Sequence, residues 1–125
     1  MIRWGIDLPA EAQIGPGLRI GHFGGIVVSK DVVIGRNLDL SHGVTIGVSG
    51  EGSQRGTPRI GDNVYVAPGA KLFGPIVIGN NVKIGANAVV YQTVSDDCIV
   101  VLGQGMVVLD KRSKRSEEIL EREAR

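Results

Sequence analysis

Two histidines and one aspartate are the residues of this chain whose types and spacing suit them to move a proton. His22 and His42 are its only imidazoles. Imidazole exchanges a proton near neutral pH, so it can take one from a hydroxyl or amine as that group attacks. Such a base needs an orienting partner, and Asp7, fifteen residues before His22, is the best-placed carboxylate. Other chemistries are poorly supplied. Two histidines without a His/Cys cluster fall short of a catalytic metal site, so no metal is expected. The single Cys98 reads as a small buried hydrophobe rather than a nucleophile. The serines and threonines around residue 50 have no adjacent base of their own.

These residues matter only if the chain brings them together, and a repeat does so. Aliphatic residues return every six positions at Leu8, Ile14, Ile20 and Ile26, then, after a two-residue slip placed near Ser29 to Val33, at Ile34, Leu40 and Ile46. After a longer interruption the count resumes at Ile60, Val66, Leu72, Ile78, Ile84 and Val90. Gly follows many of these positions, and four residues after most of them stands a second small or branched apolar residue, such as Leu38, Val44, Val64 or Val82. Turn formers fill the gaps, including Gly17, Asn37, Gly43, Asn63, Gly69, Asn81 and Asn87. They supply positive or preset φ.

A period of six cannot belong to an α-helix, whose faces repeat at 3.6 residues. It predicts a parallel β-helix: short strands, tight corners, and coils of about eighteen residues stacked at the ~4.8 Å strand spacing. Coil starts at Ile2, Ile20, Leu40, Val66 and Ile84 put Trp4, His22, His42, Pro68 and Ala86 in one column along a corner. Both imidazoles then share an edge beneath a track of small residues that an elongated ligand can occupy. The open coil ends and flat aliphatic faces call for a cap and partner subunits.

Length and composition agree. The chain has 125 residues, a formal charge of +1, 19 Gly, 42% hydrophobic and only 4% aromatic residues. That is one domain with an aliphatic core and no broad field to attract nucleic acid or anionic lipid. One cysteine cannot form an internal disulfide, and no apolar run is long enough to span a membrane, so a cytoplasmic location is expected. We divide the chain into a β-helix over 1–110, with a loop inserted at 47–59, and a charged C-terminal helix or tail over 111–125. The loop, GVSGEGSQRGTPR, lacks the Gly-Lys-Ser/Thr ending of a phosphate loop and reads as a flexible excursion or as a wall over a site. In the tail, Ser116 can cap a helix in which Glu118 pairs with Arg122 and Glu121 with Arg125. Its basic start at Lys111 and Arg112 can face an anionic partner such as a coenzyme phosphate.

With these residues in view, Gly5 to about Val94 resembles the catalytic domain of the serine acetyltransferases, a hexapeptide-repeat family. The resemblance is carried by GID at Gly5 to Asp7, GHFGGIVVSKDVVIG from Gly21, GVTIG from Gly43 and PRIGDNVYVAPGAKLFGPIVIGNNVKIGANAVV from Pro58 to Val90. It implies an all-β fold, a left-handed parallel β-helix with a short C-terminal helix, assembled as a homotrimer. It also implies that acetyl-CoA is the co-substrate, lying in a cleft between subunits bordered by Gly47, Pro68, Lys83, Gly85 and Ala86. Asp7 and His22 fall on the family's catalytic Asp and His.

The expectation is therefore O-acetyl transfer from acetyl-CoA to an acceptor hydroxyl, with His22 as general base and Asp7 holding its ring. His42 is acceptor-side support or a second base, and backbone N–H groups near Gly47 are the expected oxyanion donors. The chain departs from the family where the acceptor is read. Gly21 stands where an Asp usually precedes the catalytic His, and Gly56 and Thr57 stand where an Arg-His pair is usual. Arg55 is the nearest guanidinium to those places and is assigned acceptor-side support, because a carboxylate acceptor wants a fixed cation. Two alternatives follow: acetylation of a sugar or polysaccharide hydroxyl, and a non-catalytic trimerising solenoid that binds a ligand.

Overall fold

The computed structural model describes residues 2–3, 5–22, 24–103 and 105–111. The chain winds through five stacked rungs. In the first, β1 (Ile2–Arg3) turns back antiparallel onto β2 (Ile6–Asp7), followed by β3 (Gln13–Ile14) and β4 (Arg19–Ile20). The second holds β5 (Ile26–Val28), β6 (Val33–Ile34) and β7 (Asp39–Leu40), and the third β8 (Thr45–Gly47), β9 (Arg59–Ile60) and β10 (Tyr65–Val66). The fourth holds β11 (Lys71–Phe73), β12 (Val77–Ile78) and β13 (Lys83–Ile84). The fifth opens with β14 (Val89–Val90), touches the second face through the bridge of Val94 to Ile78, and ends in β15 (Cys98–Gly103) and β16 (Gly105–Asp110).

Three parallel faces result. The first stacks β2, β5, β8, β11 and β14; the second β3, β6, β9 and β12; the third β4, β7, β10, β13 and β15. Along each, one strand residue points in and its neighbour out. Val28, Ile46, Leu72 and Val90 are fully or almost fully buried, while Val27 and Val89 on the same strands stay exposed. The core is the stack of these inward aliphatics, the only way so aromatic-poor a chain can bury enough surface.

The register moves one expectation. Val27 pairs with Thr45 and Val28 with Ile46, eighteen residues on, whereas Ile6 pairs with Ile26 and Ile20 with Leu40, twenty residues on. The regular six-residue series therefore runs through Val28, not Ile26, and the two extra residues lie in Gly21 to Gly25 rather than Ser29 to Val33. Ile26 is still buried, because it takes the second inward slot that Val44 fills one rung higher. An apolar residue in either slot preserves the six-residue count, so the pattern alone could not locate the insertion. A second correction concerns Ile2. It pairs antiparallel with Asp7 and so opens no coil; Trp4 lies outside the described residues.

Corners show why the turn formers stand where they do. Asn37, Asn63, Asn81 and Asp97 stack between the second and third faces, all in the left-handed region with φ of 57–58°. Short Asx side chains tolerate that conformation, and here they also join rungs: Asn37 donates to Asn63 and Asn81 to Asp97. Just before this corner Gly15, Gly35, Gly61 and Gly79 stack directly. A Cβ on Gly15 would lie 2.5 Å from the Gly35 carbonyl oxygen and 2.8 Å from its carbon. Gly15→Ala is accordingly expected to destabilise the fold by about 1–3 kcal/mol, read from the urea midpoint, since backbone rather than a pliable side chain must yield.

After Val94 the hexad pattern does not simply decay. β15 continues the third face parallel to β13, with Val100 beside Ile84, and β16 folds back on it antiparallel from Gly105 to Asp110. This hairpin covers the last edge of that face. Lys111 anchors its end, its Nζ donating to the Asn81 carbonyl. Burial, with Lys83 nearby, holds the Lys111 ammonium below the ordinary lysine range. The predicted C-terminal helix falls, beyond Lys111, outside the described residues.

Candidate active site

The ridge between the third face and the first carries both histidines. Residues two beyond the inward positions of the third face stack there as His22, His42, Pro68 and Ala86, since Ile20, Leu40, Val66 and Ile84 are in register. The two imidazoles are exposed, their ring centroids 5.9 Å apart and their planes at 78°, edge against face. Backbone bonds fix the ridge from rung to rung: Gly69 N–H donates to the His42 carbonyl at 3.0 Å and Asn87 N–H to the Pro68 carbonyl at 2.9 Å.

The relocated insertion belongs to this ridge. Ser41, His42 and Gly43 make the second rung's crossing, but Gly21 to Gly25 make the first, so His22 sits in the one crossing that is two residues longer. Gly24, at φ 129°, holds a backbone conformation that a side chain would strain, and its carbonyl accepts from Gly43 N–H at 2.7 Å. The enlarged crossing is thereby tied to the segment that bears His42.

Asp7 lies half-buried on the outer side of the first face, in register with Val27 and Thr45 above it. Among the described residues no hydrogen bond joins it to His22. The remaining expected site residues divide between ridges. Pro68, Gly85 and Ala86 follow the histidines along theirs, and Lys83 is exposed on the adjoining third face. Gly47 and Arg55 lie on a different ridge, between the first and second faces, because Gly47 ends β8 and the loop bearing Arg55 leads from there into β9. Within one chain neither reaches the histidines.

The loop itself is built. Ser49 and Gly56 bridge with two backbone hydrogen bonds of 3.1 and 3.0 Å, and Gly52–Gln54 forms a 3-10 turn between them. Thr57 Oγ1 donates to the Asp31 carbonyl at 3.0 Å, so that hydroxyl ties the loop's return to the rung below. Lys71 was missed by sequence reasoning: it stands on the first face beside the histidine ridge, half-buried, and its Nζ donates to the carbonyl of Gly43, the residue after His42. Its position in the first outward slot after a corner, between the inward Ala70 and Leu72, was the available signal. Among the described residues no group of three His, Cys, Asp or Glu could hold a metal ion, and no helix is long and apolar enough to cross a membrane.

Comparison with known proteins is consistent with this geometry. Residues 57–92 match the family model described as bacterial transferase hexapeptide (six repeats). A serine acetyltransferase of Staphylococcus aureus strain Mu50 is 43% identical over 104 residues, covering 83% of this chain and 49% of the relative. Among solved structures, Neisseria gonorrhoeae serine acetyltransferase in complex with serine superposes with TM-score 0.75 at 38% identity, over 84% of this chain and 42% of that one. The Brucella abortus strain S19 enzyme in complex with coenzyme A gives TM-score 0.74 at 34% identity, over 80% of this chain and 40% of that one. The chain thus spans about half the length of the curated relatives it matches. Its rungs form a left-handed parallel β-helix, similar over most of the chain to the hexapeptide-repeat β-helices of serine acetyltransferases.

Proposed function

We propose that this β-helix is the catalytic part of an acetyl-CoA-dependent O-acetyltransferase in which His22 is the general base. The observation that carries the reading is the pair of exposed imidazoles, 5.9 Å apart, at the foot of a ridge that continues through Pro68 and Ala86. The coenzyme A and serine complexes of similar β-helices support both substrates. In the step, the acceptor oxygen gives its proton to the His22 imidazole as it attacks the thioester carbon. The C–S bond breaks, and the leaving thiolate takes a proton back from the imidazolium. Asp7, on the outer side of the first face, is assigned to stabilise that imidazolium.

Gly47 and Arg55 fit this scheme across an interface. A homotrimer in which one chain's histidine ridge meets the next chain's loop ridge brings backbone N–H groups near Gly47 toward the developing oxyanion and Arg55 toward the acceptor. Acetylation of a neutral sugar hydroxyl is the second reading, favoured by Thr57, whose hydroxyl is already committed to Asp31 where a charged acceptor contact would be wanted. Release of free thiol from acetyl-CoA, measured with L-serine and with a set of simple sugars, tests the proposal. Acceptor-dependent release is expected. Coenzyme binding with no release from any acceptor would leave the non-catalytic solenoid as the correct description.

A further inference from the structure

The Gly43 carbonyl belongs to the short crossing that bears His42, and the backbone leaves it unpaired. Among the described residues no backbone N–H donates to it: Gly69 N–H goes to His42, and Ala70 N–H turns back to Ala67. Lys71 supplies the donor instead. It sits on β11 in register with Thr45, and its half-buried side chain runs back to the corner before β8, where Nζ donates to the Gly43 carbonyl. Gly43 in turn donates its own N–H to the Gly24 carbonyl at 2.7 Å, and Gly24 lies in the longer crossing that bears His22. One ammonium thus ends a series of contacts that joins both histidine-bearing crossings. Those crossings need such a tie. Gly24, Gly25 and Gly43, with φ of 129°, 64° and 69°, have no side chains to pack, and both imidazoles are exposed. Burial does not fix where the rings stand; the backbone beneath them does.

We propose that Lys71 is a positioning residue for the acetyl transfer described above: from β11 it clamps the Gly43 carbonyl, and through Gly43 and Gly24 it holds the two crossings at the spacing that sets His22 and His42 edge to face. The catalytic consequence rests on that reading of the site; the clamp itself does not. Lys71 acts without touching either substrate. It governs how well the base is placed, and a misplacement of about 1 Å can cost roughly 10²-fold in rate. Removing the ammonium therefore lowers kcat and leaves substrate affinity in place.

The test compares the full chain as wild type, Lys71→Met, Lys71→Gln and Lys71→Arg. Thiol release from acetyl-CoA, with whichever of L-serine and the simple sugars supports it, separates kcat from KM. Nuclear magnetic resonance reads the through-space contact between the two imidazole rings and the exchange rate of the Gly43 N–H. Lys71→Met is expected to lower kcat by about 10- to 100-fold with both KM values unaltered. It is also expected to weaken the ring contact and to speed Gly43 exchange by about 3- to 10-fold, as the loss of one modest hydrogen bond does, while the core strands exchange as before. Lys71→Gln, whose amide stops short of Gly43, is expected to behave the same way. Lys71→Arg, which keeps a charged donor at that reach, is expected to recover most of kcat and both spectroscopic signatures. Unchanged kcat in the methionine and glutamine variants overturns the proposal, as does a loss that falls on KM. Exchange that quickens throughout the β-helix also overturns it, since that marks a general loss of stability. Should Lys71→Met fail to fold, Lys71→Gln decides alone. A wild type without turnover sinks acetyl transfer, and the clamp then stands or falls on whether ring contact and Gly43 exchange change in Lys71→Met and return in Lys71→Arg.

Discussion

His22→Ala is expected to lower kcat/KM for acetyl transfer by about 10²- to 10⁴-fold, the range a positioned general base contributes. The imidazole is exposed, so its removal opens no cavity, and the variant should match wild type in circular dichroism, oligomeric state and thermal midpoint. His42→Ala is expected to cost less, because it removes the edge contact to the base while leaving the base in place. Its effect should fall partly on the acceptor KM. Steady-state thiol release with both variants separates the roles. A His22→Ala enzyme of near-normal activity, or one inferior to wild type only because it unfolds, would remove His22 from the mechanism.

The other large effect concerns stability. Leu72 is fully buried and stacks between Ile46 below and Val90 above. Truncating it to alanine removes contacts to two rungs at once, and the parallel sheets on either side leave little room to collapse into the void. Leu72→Ala is expected to cost about 2–5 kcal/mol, measured by urea denaturation. Val89→Ala, on the outward position of the next rung and 44% exposed, is expected to stay within about 0.5 kcal/mol. Equal effects at the two sites would contradict the assigned in-out register.

Much of this architecture was legible before any coordinates. The six-residue return of Leu, Ile and Val fixes three inward faces, because only a coil of three short strands returns every sixth residue to one interior. The Asn and Gly corners announce themselves by chemistry, since few other residues tolerate positive φ. The shared ridge of His22 and His42 followed from counting, and the 5.9 Å ring separation agrees with that count. What counting missed was local. Ile26 satisfied the six-residue rule from the wrong slot, and this hid the insertion inside the His22 crossing. The terminal hairpin was missed because β15 and β16 run as continuous apolar strands without hexad punctuation.

The sequence alone determined the repeat, the aliphatic interior and the edge on which the two imidazoles meet, because each depends only on residue type and on spacing along the chain. Tertiary structure decided which side of the prism every other polar group occupies. Lys71 reaches Gly43 from 28 positions away through the stacking of rungs, and Arg55, only thirteen residues beyond His42, is carried to another ridge by the loop after β8. Distance along the chain says little about distance between corners, for in a stacked coil neighbours are set by how many turns intervene and where each turn was lengthened.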